Sequence, residues 1–270
     1  MTHPTTTPHG STTTDLRQRS QWLGLTARPE TFAERFRNSS AVWLALMAFW
    51  AIADILLTIF PNSSGRQLPP DSWLTHLAFT LIGLAAIWCM HRTSFPAAWD
   101  ERIPVRRRLL LPLVVGAIFG VLAIAMELYF GTLRDMQVAT GTKVTVAFPQ
   151  SLLTYSSGAI YLEFLFLVGP VSLLLWLISN VILRGRAQAP TFWVLAVLAS
   201  TIESALQGPA VLAAAQGAID PLAFGLYAVH NFGFNFGAAM LFRRYGLLAP
   251  VLVRLGDYLI WHVLFGNLFL

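Results

Sequence analysis

The chain has 270 residues, of which 56% are hydrophobic and only 11% charged, and its mean hydropathy is +0.61. That composition excludes an ordinary water-soluble domain, in which about a quarter of the residues are charged. The net charge of +5 comes from 17 Arg and one Lys against 13 acids, and because the arginines sit between apolar segments they read as topology signals and not as a nucleic-acid surface.

Residues 1–40 are polar, with Thr, Ser, Pro and His near the start. They predict a cytoplasmic, partly disordered tail that becomes helical near Pro29–Arg37. No short apolar run with a small-residue cleavage site opens the chain, so no signal peptide is expected. From 41 to 270 the chain reads as one transmembrane helical domain. Seven segments reach the ~20 apolar residues that span ~30 Å of hydrocarbon. They are Val42–Phe60, Trp73–His91, Leu109–Phe130, Gly158–Leu183, Phe192–Ala215, Pro221–Phe242 and Leu247–Phe269. Pro61, Pro69 and Pro70 punctuate the first loop, and residues 131–150 are expected to hold a short interfacial helix. Cys89 is the single cysteine, so no intrachain disulfide is possible.

The arginines test this count. Arg17, Arg19, Arg28, Arg35 and Arg37 precede the first span, and Arg92, Arg102, Arg106, Arg107 and Arg108 follow the second. Arg184 and Arg186 follow the fourth, and Arg243 and Arg244 the sixth. The other loops hold only Arg66, Arg134 and Lys143. Since positive residues favour cytoplasmic loops, the alternation predicts seven spans with the N-terminus in the cytoplasm and the C-terminus outside. The expected location is the inner (plasma) membrane, multi-pass, with the lipid bilayer as the first partner and no nucleic acid.

Ionisable side chains are costly in hydrocarbon and usually face a partner or a cavity. The predicted spans contain Asp54, Glu127, Glu163, Glu203, His230, Arg254, Asp257 and His262, with Gln207 as a neutral polar group. They concentrate in the last four spans. Glu203 and Gln207 share one helical face, and Arg254, Tyr258 and His262 form a stripe at spacings of four. Asp257 is three residues after Arg254, which allows a local pair. Asn235 lies four after Asn231, beside His230. Glu163 precedes Gly169-Pro170, where a break in the helix is expected. The plainer reading of Arg254–Asp257 is an internal ion pair, and that of His262 an interface position; a mid-span glutamate is harder to explain without function. No zinc helix, Walker loop or G-x-S-x-G elbow occurs. Ser204 and His230 are the components of a rhomboid-like pair, but their flanks do not support one. No metal or cofactor is expected.

From Gly158 to the C-terminus the order of the motifs resembles the CPBP family. These are the CAAX-protease and bacteriocin-processing (Abi) enzymes, glutamate-dependent intramembrane proteases. The family's E-E-x-x-x-R motif aligns with Leu162-Glu163-Phe164-Leu165-Phe166-Leu167, which keeps the second Glu alone. Its F-x-x-x-H motif aligns with Glu203-Ser204-Ala205-Leu206-Gln207, where Gln207 stands for the His. Asn231, Gly237, Phe242, Arg243 and Arg244 are similar to the family's next helix. After Gly246-Leu247-Leu248-Ala249-Pro250, Arg254 occupies the last motif's His position and Tyr258 that of its Asn or Asp, with Asp257 one place early. The resemblance implies a peptidase frame over 158–270 with Glu163, Glu203, Gln207, Arg254 and Asp257 as catalytic-site candidates. It also implies a transmembrane or lipidated peptide as substrate or partner. The missing His and Glu imply altered or lost catalysis, because water activation needs a carboxylate with proton-shuttling and oxyanion-stabilising partners. The competing readings are an active peptidase, a small membrane transporter, and a non-enzymatic scaffold or immunity protein.

Overall fold

The computed structural model describes residues 30–61, 71–141, 143, 145–214 and 220–270, with the backbone alone at 136, 139, 140 and 207–214. Most of the predicted tail, including Arg17, Arg19 and Arg28, and Arg66 of the first loop lie outside the described residues. Among the described residues the protein is all-α, without strands. The helices are α1 (Phe32–Ile59), α2 (Trp73–Arg92), α3 (Arg106–Phe130), α4 (Thr132–Thr140), α5 (Gln150–Ile182), α6 (Gln188–Ala214), α7 (Pro221–Tyr245) and α8 (Leu248–Leu268).

Six of these, α1, α2, α3, α5, α6 and α8, are long and apolar enough to cross a membrane, which makes the fold a multi-pass membrane bundle. The seventh expected span is α7, a 25-residue helix that is long enough but less apolar, because His230, Asn231 and Asn235 interrupt its hydrophobic sequence. The short helix expected within 131–150 is α4. It starts at Gly131, whose left-handed φ of 66° turns the chain out of α3. The buried Glu127 carboxylate accepts hydrogen bonds from the Leu133 N–H at 2.9 Å and the Arg134 N–H at 3.1 Å, and so caps α4. At the other extreme of the chain, Thr31 opens α1 with a reciprocal cap. Its hydroxyl accepts from the Glu34 N–H at 3.2 Å, and its own N–H donates to Glu34 at 2.7 Å.

The core is aromatic and aliphatic, with Trp43 and Trp50 of α1, Met90 of α2, Phe164 and Val168 of α5 and Phe242 of α7 all buried. Leu, Ile and Val side chains such as Ile55, Leu81, Val121 and Val194 are instead exposed on the outside of the bundle, as expected where lipid replaces water. α3 and α8 approach most closely. A Cβ on Gly116 would lie 1.8 Å from the Val253 carbonyl oxygen, and one on Gly256 2.2 Å from that of Leu113. Glycine at both places lets the two backbones touch, the small-residue packing that membrane helices use in place of a hydrophobic drive.

Hydrogen bonds sort the helix ends into two groups. At one end, Asn38 of α1 pairs with the Trp99 backbone, Asn180 of α5 donates to the Arg92 carbonyl at 2.9 Å, and Arg243 of α7 to that of Thr93 at 2.9 Å. At the other, Gln150 donates to the Phe60 carbonyl, the Phe148 N–H donates to Asn267, and Gln137 donates to the Leu270 carbonyl. The arginines of the alternate loops that are described all belong to the first end, and Arg134 and Lys143 to the second. The charge asymmetry read along the chain is therefore an asymmetry in space.

Candidate functional site

Four helices place one polar residue each at a common point inside the bundle: Glu163 on α5, Glu203 on α6, Asn235 on α7 and Arg254 on α8. All four are buried. Arg254 Nε donates to Glu163 Oε1 at 2.7 Å, and Nη2 donates to Glu203 Oε1 at 2.6 Å and to Asn235 Oδ1 at 3.0 Å. Its guanidinium carbon also lies 5.0 Å from the centre of the Phe234 ring and 5.9 Å from that of Tyr258. With both carboxylates ionised, two negative charges share one positive charge.

Local sequence explains how Glu163 and Arg254 reach this point. Glu163 ends the regular part of α5. From Phe164 to Val168 the helix widens, and the Gly169 N–H reaches back five residues to the Phe164 carbonyl. Pro170 has no N–H to continue the ordinary ladder, so the break expected at Gly169-Pro170 takes the form of a wide turn directly after the glutamate, a geometry common at functional sites. Arg254 follows Val253, whose carbonyl faces Gly116. The α3–α8 contact thus fixes the backbone that presents the arginine.

Of the five candidates from the sequence, Glu163, Glu203 and Arg254 meet. The Gln207 side chain lies outside the described residues. Asp257 does not form the local pair with Arg254 that their spacing allows. The arginine is drawn to the two glutamates on other helices, and Asp257 Oδ1 is buried without a hydrogen-bond partner. Asn235 joins the site although the sequence singled it out only as part of a stripe; the usable signal was a polar amide in the middle of an apolar helix.

The stripe Arg254–Tyr258–His262 is present as one face of α8. The rings of Tyr258 and His262 are 5.0 Å apart, and His262 stacks on Tyr155 of α5 at 4.4 Å. Tyr155 in turn accepts from the Val146 N–H at 3.1 Å. A line of polar and aromatic groups thus leads from the cluster toward the arginine-poor end. His230 Nε2 is bonded to the Phe119 carbonyl at 3.0 Å, a contact between α7 and α3. Two acids that look isolated in the sequence have structural partners: Glu127 caps α4, and Asp54 meets His76 Nε2 at 3.2 Å on the neighbouring span.

Chemically, the cluster can hold four helices together and can stabilise negative charge. The guanidinium cannot act as a base, since it stays protonated in proteins. No group of three or more His, Cys, Asp or Glu side chains gathers as a metal site among the described residues. Compared with protein-family models, with curated proteins and with solved structures, the chain finds no match.

Proposed function

We propose that the protein is a CPBP-like membrane protein whose glutamate centre is rebuilt as a buried ion-pair cluster, and that it binds a transmembrane or lipidated peptide without cutting it. The observation that carries this reading is the meeting of Glu163 and Arg254 at 2.7 Å. These residues stand 91 positions apart in the chain, at the places of the family's first and last motifs. Glu203, at the head of the second motif, joins them at 2.6 Å. Three motif segments converging on one buried point is what a peptidase frame requires.

The same contacts argue against cleavage. Where the family has a histidine that can move a proton, Arg254 instead holds Oε1 of each glutamate in a charge-assisted hydrogen bond. The carboxylate oxygens that Arg254 engages are committed to the guanidinium. The proposed setting is the plasma membrane, with the arginine-rich end in the cytoplasm, in keeping with the positive-inside bias.

The test uses the full-length protein in nanodiscs with a panel of prenylated and transmembrane peptides carrying photoreactive groups. The reading expects saturable crosslinking and no cleavage above a protein-free control. Cleavage that disappears in Glu163→Gln would show an active peptidase, and absence of crosslinking to every peptide would remove the binding role. A second reading, a small transporter, draws on the line Arg254–Tyr258–His262–Tyr155; it requires a polar route to both ends of the bundle and solute flux in proteoliposomes.

A further inference from the structure

At the arginine-rich end, Arg92 combines exposure with contact to two aromatic rings. Arg92 is the last residue of α2 and is exposed. Its guanidinium carbon lies 4.6 Å from the centre of the Phe32 ring and 4.8 Å from that of Trp88. Trp88 packs edge-on against Trp176 of α5, with ring centres 5.3 Å apart. Aromatic rings fix the plane of the guanidinium, yet no carboxylate pairs with it among the described residues. Its charge is held in position and left unmatched.

The end of α2 is tied to a turn that carries two more arginines. The Arg92 carbonyl accepts from Asn180 Nδ2 at 2.9 Å, and Asn180 Oδ1 accepts from Gln188 Nε2 at 2.9 Å. This link joins the end of α2 to the end of α5 and the start of α6. The tight turn between them carries the exposed Arg184 and Arg186, and its backbone enters the left-handed region at Arg184, with φ of 51°. Deeper in the bundle, α2 and α5 run side by side. Val181 and Leu177 of α5, next to and one turn below Asn180, are 50% and 42% exposed, and Leu81 of α2, three turns below Arg92, is 58% exposed.

We infer that Arg92, with Arg184 and Arg186, holds the phosphate of an anionic phospholipid whose acyl chains lie along the exposed α2–α5 face. Charge complementarity selects an anion, and the Trp88–Trp176 pair marks the depth at which headgroup and chain meet. The exposed apolar side chains of α2 and α5 select a lipid over a free phosphate or an acidic protein, since neither of those would cover them. The inference is independent of the peptidase-like reading of the interior cluster.

The test is native mass spectrometry of the full-length protein, released from detergent after incubation with dioleoylphosphatidylglycerol or dioleoylphosphatidylcholine. The wild type is expected to retain the anionic lipid preferentially. Each arginine near the surface contributes enough for about a fivefold loss on removal, so Arg92→Gln should weaken retention about fivefold. Arg92→Lys should retain more than Arg92→Gln, and the Arg134→Gln control at the opposite end should behave as wild type. The surface double change Arg184→Gln/Arg186→Gln gives a second reading that does not depend on the packing around Phe32 and should lose about 25-fold. Equal retention of the two lipids by the wild type, or unchanged retention in both Arg92→Gln and the double variant, overturns the inference. Full displacement of the lipid by soluble glycerol 3-phosphate overturns the lipid as the source of the anion.

Discussion

Arg254 and Arg108 are both buried, at 3% and 2% exposure, but they are held by different means. Arg254 lies deep in α8 and gives its N–H groups to two carboxylates and an amide. Arg108 lies in the first turn of α3, at the arginine-rich end. It donates to the Asp100 carbonyl at 2.7 Å and lies 3.9 Å from the centre of the Trp99 ring. Arg243 repeats the second pattern, with the Thr93 carbonyl and the Phe95 and Phe192 rings. The contrast follows from depth. At the end of a bundle, carbonyl oxygens and rings suffice, because water and headgroups are close. In the hydrocarbon interior a full charge needs counter-charges on neighbouring helices. An arginine at the end can therefore position a loop, whereas Arg254 ties four helices together.

The largest effect expected from this contrast is at Arg254. Arg254→Met leaves two buried carboxylates facing each other and should cost about 3–5 kcal/mol, measured by thermal unfolding in detergent. Arg108→Met, in the same assay, should cost clearly less. Next comes the seam that presents Arg254. Gly256→Ala places a methyl group against the Leu113 carbonyl at 2.2 Å, where only backbone can yield, and should cost about 1–3 kcal/mol. An unchanged melting temperature would mean that the α3–α8 contact is looser than described.

At the end cap, Ser39 joins α1, α2 and the loop after α2. Its hydroxyl oxygen accepts from the Ala98 N–H at 2.9 Å and lies 2.9 Å from His91 Nε2. Ser39→Ala strands both groups in a buried site and should cost about 1–3 kcal/mol. The smallest effect belongs to Asp100 in that loop. Burial pushes its carboxyl upward, but hydrogen bonds from the Arg102 side chain and backbone outweigh this and hold it below its ordinary value. A carboxyl with a depressed folded value contributes stability above its unfolded value and loses it as the pH falls through the folded one. Stability should therefore decline below about pH 4. With Arg102 42% exposed, the loss should stay under about 1 kcal/mol, and Asp100→Asn should abolish it.

Much of the architecture was legible along the chain because hydrocarbon imposes simple demands. Runs of about 20 apolar residues located the spans, and arginines in alternate loops located the ends. Glu163, Glu203 and Arg254 stood out because charge is rare in such runs, and they do meet. What could not be read was which partner wins. Arg254 and Asp257 are three apart on one helix, so their pairing looked local. The contacts across helices to Glu163 and Glu203 prevail because they give the guanidinium two short, buried hydrogen bonds. Asp54 and Glu127 looked isolated because their partners, His76 on the neighbouring helix and the first N–H groups of α4, lie on other elements and meet them only once the helices are placed. Gly116 and Gly120 form a G-x-x-x-G spacing in an apolar span, the mark of a close helix crossing, but Gly256 on the partner helix has no such spacing, so which two helices touch emerges only when the backbones are placed.

The most direct test of the interior cluster compares Arg254→Met with Arg254→Met/Glu163→Gln/Glu203→Gln by thermal unfolding in the same detergent. If the cluster is a charge-matched tie between helices, neutralising both glutamates should restore most of the about 3–5 kcal/mol lost by the single change. A triple variant as unstable as Arg254→Met would contradict it, because the loss would then come from missing volume and not from unmatched charge.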